Sequence, residues 1–368
     1  MTFAFIILLY AFSLIYQITY YFRAMLPVFK IREVNASERP EAVSVIICAK
    51  DEAENLKTNL PLICEQKYSE FEVLVMDDHS SDESAAIIGG MQVRYPHLRY
   101  LKASDGIADH AGKKAAMEEA RSQARYDVIL VTDADCSPAS RHWISLMEGH
   151  LGKKSVVLGI GQYRSSGTIL NGLIQYETLQ TAISFLGFAS LHKAYMGLGR
   201  NMAYRKSSMR SESARGEELA SGDDDLFVQA SFDPGDFSWC IDKGAHTFSR
   251  PPSDLGTWLT QKSRHYSAAR YYRPGIQLRL LIYKSSIYIP NYLVMTLLVL
   301  GANELALLLF LMAWFFHLVL LEKNRRKLHF TRPIYFLPCY EIFFSLFDIW
   351  TTLQKAKTKD RKWVAQKG

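Results

Sequence analysis

The sequence predicts an α/β fold with a mostly parallel sheet, flanked by apolar helices of membrane-spanning length. Three observations lead there. Continuous apolar runs, VSVIICA at 43–49, FEVLVM at 71–76 and VILVT at 128–132, read as buried parallel strands. Helical patterns at about 53–65, 83–94 and 112–124 separate or follow them, giving βαβ units. Hydrophobic residues make up 49% of the 368 positions but crowd the N-terminus and the stretch beyond about residue 280.

The N-terminal run, residues 3–22, carries no charge and is long enough to span a bilayer core as a helix. No basic stretch precedes it and no small-residue cleavage site follows, so residues 1–25 read as an anchor. The run from 280 to 322 is too long for one span and breaks at Gly301-Ala302-Asn303-Glu304, which predicts a hairpin of two helices. Arg270, Arg273 and Arg279 precede it, and Lys323, Arg325, Arg326 and Lys327 follow it. Arg23, Lys30 and Arg32 follow the first run, so the positive-inside rule puts the 40–275 domain in the cytoplasm of a multi-pass inner-membrane protein. Residues 333–368 hold Pro338, Glu341 and Asp348 and a basic tail, and read as an interfacial or re-entrant segment.

The net charge of +6 sits mostly beside the apolar runs, which suits anionic lipid. No basic stripe interleaved with aromatics suggests a nucleic-acid partner. The five cysteines, Cys48, Cys64, Cys136, Cys240 and Cys339, show no CxxC spacing, so free thiols in a reducing compartment are expected.

Ligands bind at the carboxyl ends of parallel strands. There the first strand is followed by Lys50-Asp51-Glu52, the second by Asp77-Asp78-His79-Ser80-Ser81-Asp82, and the third by Asp133-Ala134-Asp135. Helix capping accounts for Ser80 or Asp82. It does not account for a doubled Asp, nor for Asp133 and Asp135 if the next helix starts near Pro138. Clustered carboxylates repel unless a cation joins them, and oxygen ligands suit a divalent one. Gly112-Lys113-Lys114 opens a helix whose N–H groups, with Lys113, could meet an anion. Gly197-Leu198-Gly199-Arg200-Asn201 lacks the third glycine of a dinucleotide loop. Residues 176–190 read either as an amphipathic surface helix or as core.

In order, VSVIICAKDEAENL, VLVMDDHSSDES, GKKAAM, VTDADCSP, GLGRNMAYRK, SGDDDLF and QKSRH resemble the membrane-bound family 2 glycosyltransferases, over about residues 40–270. The resemblance is to bacterial members related to polysaccharide synthases of the cellulose, hyaluronan and poly-N-acetylglucosamine types. It implies a GT-A fold and an inverting, metal-dependent transfer from a nucleotide-diphosphate sugar, UDP-linked by family habit, to a lipid-linked or membrane-associated glycan acceptor. By that carry-over, Asp51 or Glu52 lies beside the base, Asp77 or Asp78 binds base or ribose, and Lys113 contacts the nucleotide. Asp133 and Asp135 form the DxD element, with Asp135 holding Mn2+ or Mg2+. Counting back from Leu226 puts Asp223 at the general-base position, with Asp224 one residue away as the alternative. Gln261 and Arg264 match the QxxRW element that binds the donor diphosphate, but His265 replaces its Trp, which argues against processive polymerisation. Partner subunits of an envelope-glycan pathway are a further implication. The competing readings are a processive polysaccharide synthase, a nucleotidyltransferase and a non-catalytic membrane scaffold.

Overall fold

The computed structural model describes residues 2–31, 40–104, 112–210, 223–331 and 337–355. Two compact units emerge, interleaved along the chain. One is helical and comprises residues 1–31, 165–187 and 272–359; the other is α/β and comprises 32–164 and 188–271, with 360–368. Residues 165–187 of the expected 40–275 domain thus fall in the helical unit.

Among the described residues, the α/β unit has ten strands: β1 (Val43–Ala49), β2 (Phe71–Asp77), β3 (Leu98–Lys102), β4 (Val128–Asp133), β5 (Ser137–Pro138), β6 (Val156–Leu158), β7 (Gly161–Tyr163), β8 (Met202–Arg205), β9 (Phe237–Trp239) and β10 (Thr247–Ser249). Seven form one sheet in the order β3-β2-β1-β4-β8-β6-β9. β1, β2, β3 and β4 run parallel, while β8 is antiparallel to β4 and to β6. A small second sheet has the order β5-β10-β7.

The apolar runs are continuous because both sheet faces are covered. Val45, Ile47, Val73, Val75 and Leu130 pack with Leu56, Leu60, Trp143 and Met147. Ile46, Leu74 and Ile129 alternate with them and are equally inaccessible. The chain winds one way from β1 through β2 to β3, then places β4 on the other side of β1. That reversal opens a crevice at the carboxyl ends of β1 and β4.

Helices Ala53–Cys64, Ser84–Gln92 and Gly112–Gln123 form where the apolar periodicity predicts. After Asp135 the expectation of a helix near Pro138 is corrected. Ser137–Pro138 pairs as a strand with β10, Ala139 N–H donates to the His246 carbonyl at 2.8 Å, and the helix starts at Trp143. Proline has no N–H to give a ladder, and this two-residue edge strand needs none from it.

A buried polar knot ties the sheets together. Trp143 Nε1 donates to Asn201 Oδ1 at 2.9 Å, and Asn201 Nδ2 donates to the carbonyls of Ile160 (3.0 Å) and Ala245 (2.8 Å). Asn201→Leu strands the Trp143 Nε1–H and the Ala245 carbonyl, while the Ile160 carbonyl keeps Thr247 N–H at 3.1 Å, so the variant is expected to lose about 3 kcal/mol of stability, read as a lower urea midpoint.

In the helical unit, Thr2–Tyr20 continues through a π-helical stretch, Tyr21–Met25, into Leu26–Phe29. Helices Pro274–Val299 and Asn303–Lys327 meet at Gly301, whose φ of +75° is the left-handed turn that glycine permits. The break therefore lies where the sequence marks it. Residues 333–354 contribute one helix, Leu337–Lys355. Among the described residues, two helices are long and apolar enough to cross a membrane, Ala4–Phe29 and Asn303–Lys327. Helix Ile169–Ser190 buries Ile174, Tyr176, Leu179, Ala182 and Leu186, so its side chains pack as core rather than as one amphipathic stripe.

Candidate active site

The loops after β1 and β2 brace each other. Asp51 adopts φ +54° and its N–H donates to Ser80 Oγ at 3.0 Å, while Ser81 N–H and Oγ both donate to Asp51 Oδ1, at 2.7 and 3.0 Å. Glu52 N–H donates to Ser84 Oγ, and Ala53 N–H to Asp82 Oδ2, each at 3.0 Å. Asp82 thereby serves the start of helix Ala53–Cys64, and its other oxygen accepts from Ser84 N–H at 2.9 Å at the start of the following helix, where its capping reading placed it.

The doubled aspartate divides its labour. Asp77 is buried with both oxygens engaged: Ser80 N–H donates to Oδ1 at 2.9 Å and Tyr100 OH to Oδ2 at 2.8 Å. It holds the loop. Asp78, 3% exposed, stands 3.8 Å from Lys50 Nζ through Oδ2, and that buried oxygen accepts no hydrogen bond. An unfilled buried acceptor is costly, and a ligand N–H or O–H would satisfy it. His79, at φ +58°, lies 3.4 Å from the other oxygen.

At the end of β4, Lys113 Nζ donates to Asp133 Oδ1 at 2.5 Å. Burial would lower the Lys113 pKa, but the carboxylates of Asp133 and Asp224 outweigh it and hold the ammonium charged. Burial, then the Asp133 charge, raises the Asp135 carboxyl above the usual range, against the pull of Arg200. Glu52 is also raised, by burial and by Asp135 and Asp133, so these acids share one field.

Oxygens of Asp133 and Asp135 and the Cys136 sulfur lie within 4.8 Å of one another. Burial and Asp135 push the Cys136 thiol far up, and it donates to Asp135 Oδ1 at 3.2 Å. The carboxylates, not the thiol, are then the ligand atoms. Crowded hard oxygens with raised proton affinity fit a divalent cation.

The acidic triplet enters through the second aspartate. Gly199 N–H donates to Asp224 Oδ2 at 2.9 Å. The next residue, Arg200, lies with its guanidinium 4.5 Å from the Tyr163 ring centre, and Gln261 Nε2 donates to Tyr163 OH at 3.3 Å. Gln261 Oε1 is buried without a hydrogen-bond partner. A chain of contacts and charges therefore runs from Asp135 through Arg200 and Tyr163 to Gln261. Asp223 begins helix Asp223–Ser231 and Arg264 lies in helix Leu255–Ala268, but their side chains lie outside the described residues.

Sequence reasoning missed Arg200, Tyr163 and the role of Gly199. The GLGRN segment was visible, but its purpose needs a partner 25 residues away. A Cβ on Gly199 would lie 2.2 Å from Asp224 Oδ2. Gly199→Ala must therefore displace that carboxylate. The expected result is a kcat loss of about 10²-fold with little change in donor KM, measured by steady-state kinetics.

Residues 44–211 match the family model "Glycosyl transferase family 2". The probable glycosyltransferase YdaM of Bacillus subtilis is 23% identical over 245 residues, 64% of this chain and 57% of that protein. The beta-monoglucosyldiacylglycerol synthase of Synechocystis is 29% identical over 97 residues, 26% of this chain and 20% of that protein. The chain thus spans less than two thirds of either relative. In fold it is similar to the mannosyltransferase PcManGT from Pyrobaculum calidifontis, solved in complex with GDP-Man and Mn2+. That similarity has a TM-score of 0.56 and 18% identity, over 94% of this chain and 98% of that one. Residues 44–211 thus match glycosyltransferase family 2, and the mostly parallel sheet with acidic strand ends has the GT-A fold.

Proposed function

We propose that the protein transfers a single sugar, with inversion, from a UDP-linked donor to a lipid-linked or membrane-associated acceptor. The observation that carries this reading is the meeting of Asp133, Asp135, Lys113 and Asp224 in one electrostatic field beside β4, with Asp78 offering an unfilled buried acceptor on the same sheet edge.

In this reading Asp78 accepts from the base or ribose, while Asp77 and Asp51 hold the loop that presents it. Glu52 lies beside the nucleotide. Asp133 and Asp135 hold Mn2+ or Mg2+, which when bound neutralises charge gathering on the diphosphate. Lys113 pairs with Asp133 and adds a cation, and Gln261 and Arg264 take diphosphate oxygens. Asp224 accepts the acceptor hydroxyl's proton as its oxygen attacks the anomeric carbon. The carbon–oxygen bond to the diphosphate breaks on the opposite face, and the electron pair leaves with the diphosphate. We place the base at Asp224, whose carboxylate accepts from Gly199 N–H and raises the proton affinity of Lys113, with Asp223, whose side chain lies outside the described residues, as the alternative.

The apolar helices support membrane attachment, and the flanking basic residues support a cytoplasmic domain in a multi-pass protein. His265 in place of Trp favours one addition over a polymer. The test uses purified protein in detergent, with added membrane lipid and Mn2+, against a panel of UDP-, GDP- and dTDP-sugars. Nucleoside diphosphate release from a UDP-sugar, with label in a lipid extract of single size, is expected. Long polymer would replace the acceptor reading, and no turnover of any donor would end the catalytic one.

A further inference from the structure

The α/β unit holds a second cluster of metal-ligating side chains that the donor chemistry does not use. His150 lies in the last turn of helix Trp143–Leu151, and Cys240 and Asp242 follow β9. A His150 ring nitrogen, the Cys240 sulfur and an Asp242 carboxylate oxygen lie within 4.8 Å of one another. Strand β9 forms one edge of the seven-stranded sheet, three places from β4, so this cluster is separate from that of Asp133 and Asp135. Cys240 is inaccessible and the His150 side chain is 1% exposed, while that of Asp242 keeps 27%. Both buried groups face one atom. His150 Nε2 lies 2.8 Å from Asp242 Oδ2, and the Cys240 sulfur lies 4.0 Å from the same oxygen. His150 Nδ1 is buried without a hydrogen-bond partner, so the ring directs its polar contact here.

A hydrogen-bonded trio centred on Asp242 accounts for the imidazole but poorly for the sulfur, which at 4.0 Å is at the outer limit of such a bond. A tetrahedral zinc ion, with bonds of about 2.0–2.3 Å, holds its ligand atoms roughly 3.3–3.6 Å apart. The observed 2.8 and 4.0 Å each differ from that by about half an ångström, in opposite directions, so a small shift of Asp242 serves both. The Asp242 backbone N–H donates to the Cys240 sulfur, a bond that favours thiolate. Burial nevertheless raises the free thiol, and the Asp242 charge adds to it. Beside Cys136 two carboxylates suffice for a hard cation. Here one carboxylate does not, and the thiol must yield its proton to a softer ion. Imidazole, thiolate and a single carboxylate suit zinc, whereas Mg2+ and Mn2+ prefer oxygen sets.

We propose that His150, Cys240 and Asp242 form a zinc site that ties helix Trp143–Leu151 to the sheet edge, with water at the exposed side of Asp242 as fourth ligand. The site does not depend on the donor chemistry proposed above. The test is a titration of the full chain in detergent, stripped with EDTA, dialysed and held in excess Mg2+, with Co2+ as the zinc surrogate. A sulfur-to-cobalt charge-transfer band that saturates at one equivalent is expected, and Zn2+ should abolish it. The band should vanish in Cys240→Ser and persist in Cys136→Ser, which separates this cluster from the acids beside β4. His150→Gln and Asp242→Asn should each weaken Co2+ binding at least about tenfold, while UDP binding in the same samples reports an intact fold. If Cys240→Ser fails to fold, Asp242→Asn at the partly exposed ligand decides instead. No charge-transfer band, a band that follows Cys136, or variants that bind Co2+ like the unaltered chain would each overturn the inference. UDP binding lost from the unaltered chain with the band intact would instead count against the donor reading alone.

Discussion

Asp224→Asn should reduce sugar transfer by roughly 10²–10⁴-fold, the usual worth of a positioned general base, while leaving donor binding within a few-fold of the parent. Asparagine keeps the shape and can still accept from Gly199 N–H, as Asp224 does at 2.9 Å. It cannot take up a proton. The effect should therefore fall on kcat and spare the KM for donor. Asp223→Asn, one residue earlier in the same helix, should cost much less. Isothermal titration with UDP and single-turnover transfer separate the two quantities. If Asp224→Asn turns over normally and Asp223→Asn does not, the acidic triplet is read one residue too late here. A secondary outcome follows from the charge on Lys113, which Asp224 helps to stabilise. Its removal should loosen the Lys113 ammonium but leave it paired with Asp133, so nucleotide affinity should fall only slightly.

The residues that local chemistry dictates were legible in the chain. β1, β2 and β4 announce themselves because burial on both faces demands unbroken apolar runs. Asp133 and Asp135 at the end of β4 stand out because no helix starts there to need them, whereas Asp77 at the end of β2 holds its own loop by accepting from Ser80 N–H. β3 did not announce itself: Leu98–Lys102 is a half-covered edge strand with charged residues inside it, which is how edges avoid further pairing. The partition between Asp77 and Asp78 was hidden for a different reason. Only the fold brings Tyr100 to one and leaves the other with an unfilled oxygen. Arg200 and Tyr163 were hidden because a stacked pair from distant segments has no sequence spacing. Interleaving was hidden too, since residues 165–187 look like any apolar helix until they join the helical unit.

Removal of divalent metal with EDTA should abolish transfer, with Mn2+ or Mg2+ restoring it, and Asp135→Asn should lower activity at least ~10²-fold even at saturating metal. The argument begins with repulsion. Burial and the neighbouring Asp133 raise the Asp135 carboxyl, so ionising it in the bare site is unfavourable. Lys113 compensates at Asp133, to which it donates directly, and Arg200 only partly offsets the field at Asp135. The uncompensated charge is therefore at Asp135, and a cation gains most there. Because the proton competes with that cation, apparent metal affinity should fall as pH drops, beginning above the range of an ordinary aspartate. Asp135→Asn removes both the charge and the proton site. It should flatten that pH dependence as well as weaken Mn2+ binding, whereas Asp133→Asn should chiefly release Lys113. Mn2+ titration followed by electron paramagnetic resonance at several pH values distinguishes the two. An Asp135→Asn variant with unchanged affinity and unchanged slope would remove the metal from this site altogether.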